Sequence, residues 1–380
     1  MRLRVVFLTH NFPRYAGDIS GAFLATLARG LLARGHQIRV VAPSDGGHIG
    51  PDHLDAIPVR RVRYGRPDQE TLAYRGTMAE TALRPAGLLA ALALGRALRR
   101  AAREEARSAD LIHAHWWVPG GLAAPPEVPL VLTIHGTDGV LLQRSRVAAH
   151  LARPLFRRAR VVTAVSETAA RAIAAATGRM VDASHIHPMP VETDRYRTWS
   201  GGGGGLVTVA RLTRQKRVHL ALLALPFLQR TDLPLTIIGD GPERGALEAL
   251  AAARGIGHRV RFLGAMPPDL VAERLRDADV AVFPAEREGF GLAAAEALMT
   301  GVPVVACEDG GGVLSVVPAD GAGRRARPEP EAIARAVEDL LRTPGSRDSA
   351  RQEGARWRER LSPGHVAEVC EGWYREALGV

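Results

Sequence analysis

The residues best suited to chemistry in this chain lie in Glu288-Gly-Phe-Gly-Leu-Ala-Ala-Ala-Glu296. Seven residues separate the two carboxylates. A Gly-Phe-Gly turn follows the first, and a helix-forming run carries the second. Ahead of them, Val280-Ala-Val-Phe-Pro284 reads as a buried strand closed by a proline. Behind them, Gly301-Val-Pro-Val-Val-Ala306 reads as a helix stop and a second buried strand. The order is strand, acidic glycine-rich loop, helix start, strand. It turns backbone N–H groups and the positive end of a helix dipole toward an anion, with two acids placed to hold hydroxyls. A ligand that is part phosphate and part polyol suits it, and a nucleotide-sugar is such a ligand.

Three elements precede this loop in the same half of the chain. In Val209-Ala-Arg211-Leu-Thr-Arg-Gln-Lys216 a strand ends and two cations straddle a helix start. Arg211 can grip phosphate oxygens through paired N–H groups, while Lys216 offers a compact charge. Lys216 is also the only lysine in the chain. Ile238-Gly-Asp240-Gly-Pro242 is a sharp turn in which Asp240 is expected to cap the following helix. Val260-Arg-Phe262-Leu263-Gly264 is a strand with a glycine at its exit, where backbone can meet a nucleobase edge.

These motifs need a scaffold, and the rest of the sequence supplies one. At 380 residues the chain suits two domains. Short β-branched runs alternate with Ala-rich amphipathic helices, including a long one across about Thr81–Ser108, which predicts right-handed βαβ crossovers and parallel sheets. The pattern breaks at Trp199-Ser200 and five glycines, Gly201–Gly205, then restarts. The expected division is 1–198, a linker at 199–205, 206–360, and a C-terminal helix at 361–380 packing back toward the first domain. The fold class is therefore α/β, with two doubly wound, Rossmann-like domains and a ligand cleft between them at the strands' carboxyl ends.

Net charge is +10, which favours acidic partners such as a nucleoside diphosphate or an anionic membrane surface. The basic residues are dispersed without an aromatic-interleaved tract, so nucleic acid is not expected as a partner. Cys307 and Cys370 stand far apart, suit a reducing cytoplasm and suggest no metal site. The start at a strand rather than a signal peptide, and the absence of a long apolar run, add to the cytoplasmic expectation. Along the long helix, apolar Leu88–Leu94 runs into basic Arg96–Arg103, so the expectation extends to peripheral contact with an anionic membrane.

The first half carries looser motifs. Asn11-Phe-Pro-Arg-Tyr-Ala-Gly17-Asp18-Ile-Ser-Gly21 is a loop between the first strand and helix, without the GxGxxG spacing of dinucleotide oxidoreductases. Asp110-Leu-Ile-His113-Ala-His115-Trp116-Trp117 ends a strand in histidines and tryptophans, and Thr133-Ile-His135-Gly-Thr-Asp138 ends one in histidine and acid. In order and spacing, nearly the whole chain resembles the retaining glycosyltransferases of family 4. Its second half carries the most specific motifs. That family has the two-Rossmann GT-B architecture and uses nucleotide-sugars.

The resemblance implies roles. Arg211 and Lys216 would hold the diphosphate and neutralise the leaving group, with His135 reaching the donor sugar. Glu288 would bind sugar hydroxyls and Glu296 the ribose hydroxyls. Gly17, Phe262, Leu263 and the backbone of the segment Gly289, Phe290, Gly291 and Leu292 would line the donor. Asp18, His115, Trp116, Trp117 and Asp138 would face the acceptor, and His113 could serve either structure or ligand. Two stretches depart from the family pattern. Pro188-Met-Pro-Val-Glu192 stands where Pro-Asn-Gly-Val-Asp is common, and Gly311-Gly-Val-Leu-Ser315 where Gly-Gly-Val-Pro-Glu is common. The second change removes a carboxylate on the sugar side. The implied reaction is retaining, metal-independent transfer of a hexose-type sugar from a nucleoside-diphosphate donor, a UDP-sugar before others, to a hydroxyl acceptor, with no cofactor. A GT-B nucleotide-sugar epimerase and a non-catalytic nucleotide-sugar binder are the alternatives.

Overall fold

A computed structural model of the protein describes residues 1–46, 50–74, 78, 85–198 and 201–380. The chain divides into two units, Met1–Val191 with Pro363–Val380, and Glu192–Ser362. Residues Thr81–Arg84 of the expected long helix and Trp199-Ser200 of the expected linker lie outside the described residues.

The first unit is built on a seven-stranded sheet of β1 Arg4–Leu8, β2 Gln37–Pro43, β3 Gly50–Leu54, β4 Ile57–Val62, β5 Leu111–His115, β6 Leu130–Ile134 and β7 Val161–Ala164. Its order is β3-β4-β2-β1-β5-β6-β7, and the pairings are parallel except for the β3–β4 hairpin. β5, β6 and β7 are buried throughout, as strands of a sheet covered on both faces are, and β5 takes His113 and His115 into the interior with it. The hairpin strand β3 has no sequence signature: Gly50-Pro-Asp-His-Leu carries no β-branched residue, and it forms as an edge. Helices α1 Ala22–Ala33, α2 Pro85–Ala106, α3 Thr137–Arg144, α4 Arg146–Arg158 and α5 Glu167–Thr177 follow in chain order.

The C-terminal helix, Pro363–Leu378, belongs to this unit. A Cβ at Gly30 of α1 would lie 2.6 Å from Pro363 O, so only glycine allows that approach. Glu371 accepts from Arg34 Nε and Nη2 at 2.7 and 2.8 Å and meets His36 Nε2 at 2.8 Å. Arg34 draws the Glu371 carboxyl down to about 2.

The second unit holds a six-stranded, all-parallel sheet of β8 Leu206–Val209, β9 Leu235–Ile238, β10 Val260–Gly264, β11 Val280–Phe283, β12 Val304–Cys307 and β13 Gly323–Ala326. Its order is β10-β9-β8-β11-β12-β13. Winding reverses between β8 and β11 here, and between β1 and β5 in the first sheet. Open α/β sheets bind ligands outside the strands' carboxyl ends at such reversals. Helices α6 Val218–Ala224, α7 Arg244–Ala253, α8 Pro268–Asp277, α9 Leu292–Met299, α10 Pro330–Arg342 and α11 Ser346–Arg360 complete the unit.

The unit boundary falls at Val191/Glu192, so the described part of the glycine run, Gly201–Gly205, lies inside the second unit. It is sewn to the strand beside it. Gly203 and Gly205 N–H groups donate to the Asp279 carboxylate at 2.7 and 3.0 Å, and Asp279 N–H returns to Gly205 O at 2.7 Å. Those bonds are the physical reason the run is not a free tether.

Candidate active site

The reversal in the second sheet brings two loops together. The loop after β8 turns through a 3₁₀ segment, Arg214–Lys216, and the loop after β11 runs from Pro284 to Gly291. Lys216 Nζ donates to Glu288 Oε2 at 2.5 Å, with both side chains about three-quarters buried. The residues between them fix this pairing. Gln215 Nε2 donates to Glu286 O at 3.0 Å, and Glu286 N–H donates to Gln215 O at 3.0 Å. Arg217, at φ +46, donates to Pro284 O at 2.9 Å and grips both Asp309 oxygens at 2.8 and 2.5 Å. Arg211 is half-buried two residues past β8, on the same loop as Lys216.

The acidic loop rests on a second glycine-rich turn. Glu288 forms a parallel bridge with Gly311: Glu288 N–H donates to Gly310 O, and Gly312 N–H donates to Glu288 O, both at 2.7 Å. A Cβ at Gly312 would lie 2.0 Å from Gly289 O, closer than any side chain allows. Gly291 then caps α9 at φ +98 with no side-chain cap, against Val313, which a Cβ would meet at 2.6 Å. Among the described residues, the N–H groups of Leu292 and Ala293 at the start of α9 have no hydrogen-bond partner. The loop thus presents a cation, an acid and open helix N–H groups outside the carboxyl ends of β8 and β11.

Glu296, on the second turn of α9, is hydrogen-bonded to the buried phenol of Tyr196. Burial raises the Glu296 carboxyl to about 7, and the Tyr196 bond opposes that rise. Tyr196 is held by Arg358, which donates to Tyr196 O at 2.5 Å and Met299 O at 2.7 Å. Nothing in the sequence pointed to Tyr196, because it lies a hundred residues ahead of its partner. The ring of Phe290 is buried edge-on to Trp357 at 5.5 Å, leaving its backbone at the loop. One expectation needs correction. The helix after Asp240 begins only at Arg244, so Asp240 does not cap it and instead accepts from Gly241 N–H at 2.7 Å and pairs with Arg244. Phe262 is half-buried and Leu263 exposed on the edge strand β10.

In the first unit the reversal gathers a ladder of imidazoles. His115 Nδ1 lies 3.1 Å from His135 Nε2, and the Trp116 ring covers His135 at 4.2 Å and His10 at 4.5 Å. Trp116 takes φ +65, a strained value for a tryptophan, pinned by its N–H to Thr133 O at 2.9 Å and by Gly121 N–H to its own carbonyl at 3.0 Å. Burial depresses His10 to about 4 and His113 to about 3, and it holds His115 and His135 well below the usual histidine range. Burial thus favours the uncharged imidazole along the ladder.

Several residues expected to face an acceptor are consumed by structure. Asp138 Oδ1 accepts the N–H groups of His135, Gly136 and Gly139 at 3.0, 3.0 and 3.1 Å, and Oδ2 accepts that of Trp117 at 3.3 Å. Burial raises this carboxyl to about 6, opposed by those N–H groups. Trp117 is in the core, its indole N–H bonded to Asp138 O. His113 spends both nitrogens, on Tyr374 at 2.8 Å and Thr133 at 2.7 Å, which settles it as structural. Asp18 is buried, paired with Arg14 at 2.6 Å and accepting from Ser20 N–H at 3.0 Å. Gly17 stands exposed at φ +89, and His115 Nε2 is buried without a hydrogen-bond partner among the described residues.

These features define a doubly wound α/β protein whose second sheet is arranged to hold an anionic, hydroxyl-bearing ligand. The family profile described as Glycosyltransferase Family 4 matches residues 20–195, and that described as Glycosyl transferases group 1 matches 200–357. A D-inositol 3-phosphate glycosyltransferase of Geodermatophilus obscurus is 30% identical over 338 residues, 78% of this chain and 72% of the relative. An uncharacterized glycosyltransferase of Methanocaldococcus jannaschii is 27% identical over 377 residues, 91% of each chain. Among solved structures, the Anabaena protein HepE in complex with UDP-glucose superposes with a TM-score of 0.73 at 20% identity, covering 98% of this chain and 99% of that one. The chain belongs to the family 4 glycosyltransferases, enzymes of GT-B fold that use nucleotide-sugar donors.

Proposed function

We propose that this enzyme moves a hexose-type sugar from a UDP-sugar to a hydroxyl acceptor, with retention of configuration and without a metal. The carrying observation is the Lys216–Glu288 pair beside the open N–H groups of α9. Breaking the bond from the anomeric carbon to the diphosphate leaves negative charge on the phosphate. Arg211, Lys216 and the helix start are the groups that stabilise that charge where it grows. The acceptor oxygen bonds the anomeric carbon on the face the diphosphate leaves, and the acceptor's proton passes to the leaving phosphate oxygen. Glu288 and Glu296 then bind hydroxyls and do not work as the acid and nucleophile of a hydrolase. Their engagement with Lys216 and Tyr196 supports that reading. UDP is favoured because a protein of the same fold binds UDP-glucose.

A thermal-shift screen of UDP-, GDP- and ADP-sugars tests the donor, with UDP-sugars expected to raise Tm most. Product analysis with donor alone tests the reaction. Nucleotide release with an altered free sugar would make the enzyme an epimerase. Tight donor binding without turnover over an acceptor panel would make it a binding protein.

A further inference from the structure

Two helices of the first unit turn aliphatic side chains into water. On α2, Leu88, Leu89 and Leu92 are 54%, 69% and 48% exposed; on α4, Val147 and Leu151 are 70% and 59% exposed. Single exposed leucines are ordinary on a protein surface. Here the pattern is periodic. Leu88, Leu92, Arg96, Arg99 and Arg103 fall at i, i+4, i+8, i+11 and i+15, one strip of α2 that passes from apolar to basic. On α4, Val147, Leu151 and Pro154 form one exposed strip, and Arg146, His150, Arg153 and Arg157 form the strip beside it.

The two helices share one surface. Leu94 and Leu98 of α2 and Leu155 and Phe156 of α4 pack into one buried cluster, and Arg158 of α4 donates to the carbonyls of Ala124 at 2.7 Å and Pro125 at 3.2 Å, in the segment that follows β5. Leu122, 41% exposed, belongs to that same segment. α4 contains no carboxylate. The acids of α2, Glu104 and Glu105, are committed to Arg60, Arg39 and Arg100. Glu127 is the acid that acts on Arg158. Arg146, Arg153 and Arg157 pair with no carboxylate among the described residues.

We propose that α2 and α4 together form a docking face for an anionic lipid bilayer. Charge complementarity selects the occupant. A nucleic acid would satisfy the arginines but leave the leucines in water, whereas a bilayer takes arginine at its phosphates and aliphatic side chains at the acyl boundary. The sequence suggested only α2; the second helix, with its apolar and basic strips side by side, emerges from the fold. The face lies outside the donor-binding loops and does not rest on the assignment of the donor.

Vesicle flotation with the purified full chain tests this. Binding is expected to phosphatidylcholine vesicles containing phosphatidylglycerol at low salt, and it should fall at high salt and without the anionic lipid. Arg146→Glu with Arg153→Glu should weaken partitioning by about tenfold or more, because each basic residue near the surface contributes a comparable increment. Val147→Glu with Leu151→Glu should weaken it through the apolar strip. Both double variants should keep the wild-type melting curve and the donor-induced thermal shift, since these side chains point into water. Absence of binding to anionic vesicles at low salt would overturn the proposal, as would undiminished binding by both variants. Binding of duplex DNA by a protein that ignores vesicles would assign the face to nucleic acid instead.

Discussion

Lys216 and Glu288 come from loops after different strands, β8 and β11, yet their side chains meet at 2.5 Å. The contact spans the point where the second sheet reverses its winding, and Gln215 and Arg217 on either side of the lysine bind the acidic loop's backbone. The pair is therefore a consequence of topology, held by its neighbours rather than by its own attraction. Lys216→Ala should lower kcat/KM by roughly a hundredfold or more if the lysine stabilises the leaving diphosphate. Its effect on stability should stay within about 1 kcal/mol, the ordinary range for a solvent-reached ion pair. Steady-state kinetics beside a thermal melt checks both, and wild-type turnover in the Lys216→Ala, Arg211→Ala double variant would remove these residues from the mechanism.

The Glu296 carboxyl, raised by burial to about 7, is balanced between its two forms near neutrality. The ionised form is the better acceptor for ribose hydroxyls, so donor KM should rise as pH falls through 7. The Tyr196 bond favours the ionised form. Tyr196→Phe should therefore move this limb to higher pH while leaving kcat at alkaline pH near wild type. A profile that does not move would separate Tyr196 from donor binding.

Gly312→Ala should damage the site without touching a functional side chain. The added methyl would be driven into Gly289 O, at 2.0 Å, and must displace the backbone that aims Glu288. A cost of roughly 1–3 kcal/mol is expected, with a fall in activity larger than the loss of folded protein. Urea unfolding alongside an active-fraction assay distinguishes the two effects.

Glu371 carries a prediction about the C-terminal helix. Its folded-state value, about 2, lies below the ordinary glutamate value. A depressed carboxylate stabilises the fold above its unfolded value, and that contribution is lost as pH falls from there toward the folded one. Glu371→Gln should therefore cost about 2 kcal/mol at neutral pH, since a buried charge-assisted bond is lost. The difference from wild type should vanish as pH approaches 2. Denaturant melts across the acid range measure it.

In the proposed mechanism Arg211, Lys216 and the N–H groups of α9 carry the charge on the leaving diphosphate. Transfer should accordingly proceed at an unchanged rate in excess chelator. Strict dependence on Mg²⁺ or Mn²⁺ would transfer that role to a metal.

Both sheets were legible in the sequence because their central strands are short β-branched runs spaced by helices. The edge strands β3 and β13 were not, since an edge strand needs only a partner and neither Gly50-Pro-Asp-His-Leu54 nor Gly323-Arg-Arg-Ala326 gives an apolar pattern. The placement of Lys216, Glu288 and Glu296 after β8 and β11 could be anticipated because each sits a short way from a strand end, where local sequence governs position. Asp138 and Trp117 misled, and His113 was left open, for a complementary reason. A polar residue at a strand's end can turn toward a ligand or back into the protein, and that choice depends on partners such as Tyr374 that lie far along the chain. The partner of Glu296 was invisible on the same ground: Tyr196 is brought there by tertiary packing alone.

The bridge from Glu288 to Gly311 divides labour within the second glycine turn. Gly310, Gly311 and Gly312 support the acid with backbone alone, while Leu314 is only half-buried and Ser315 is exposed, turning its hydroxyl back to Gly312 O at 2.6 Å. Those two side chains are therefore free to diverge without disturbing Glu288. Leu314-Ser315, standing where Pro-Glu is common, thus occupies a turn whose backbone bears the acid while its side chains stay open to change at little architectural cost.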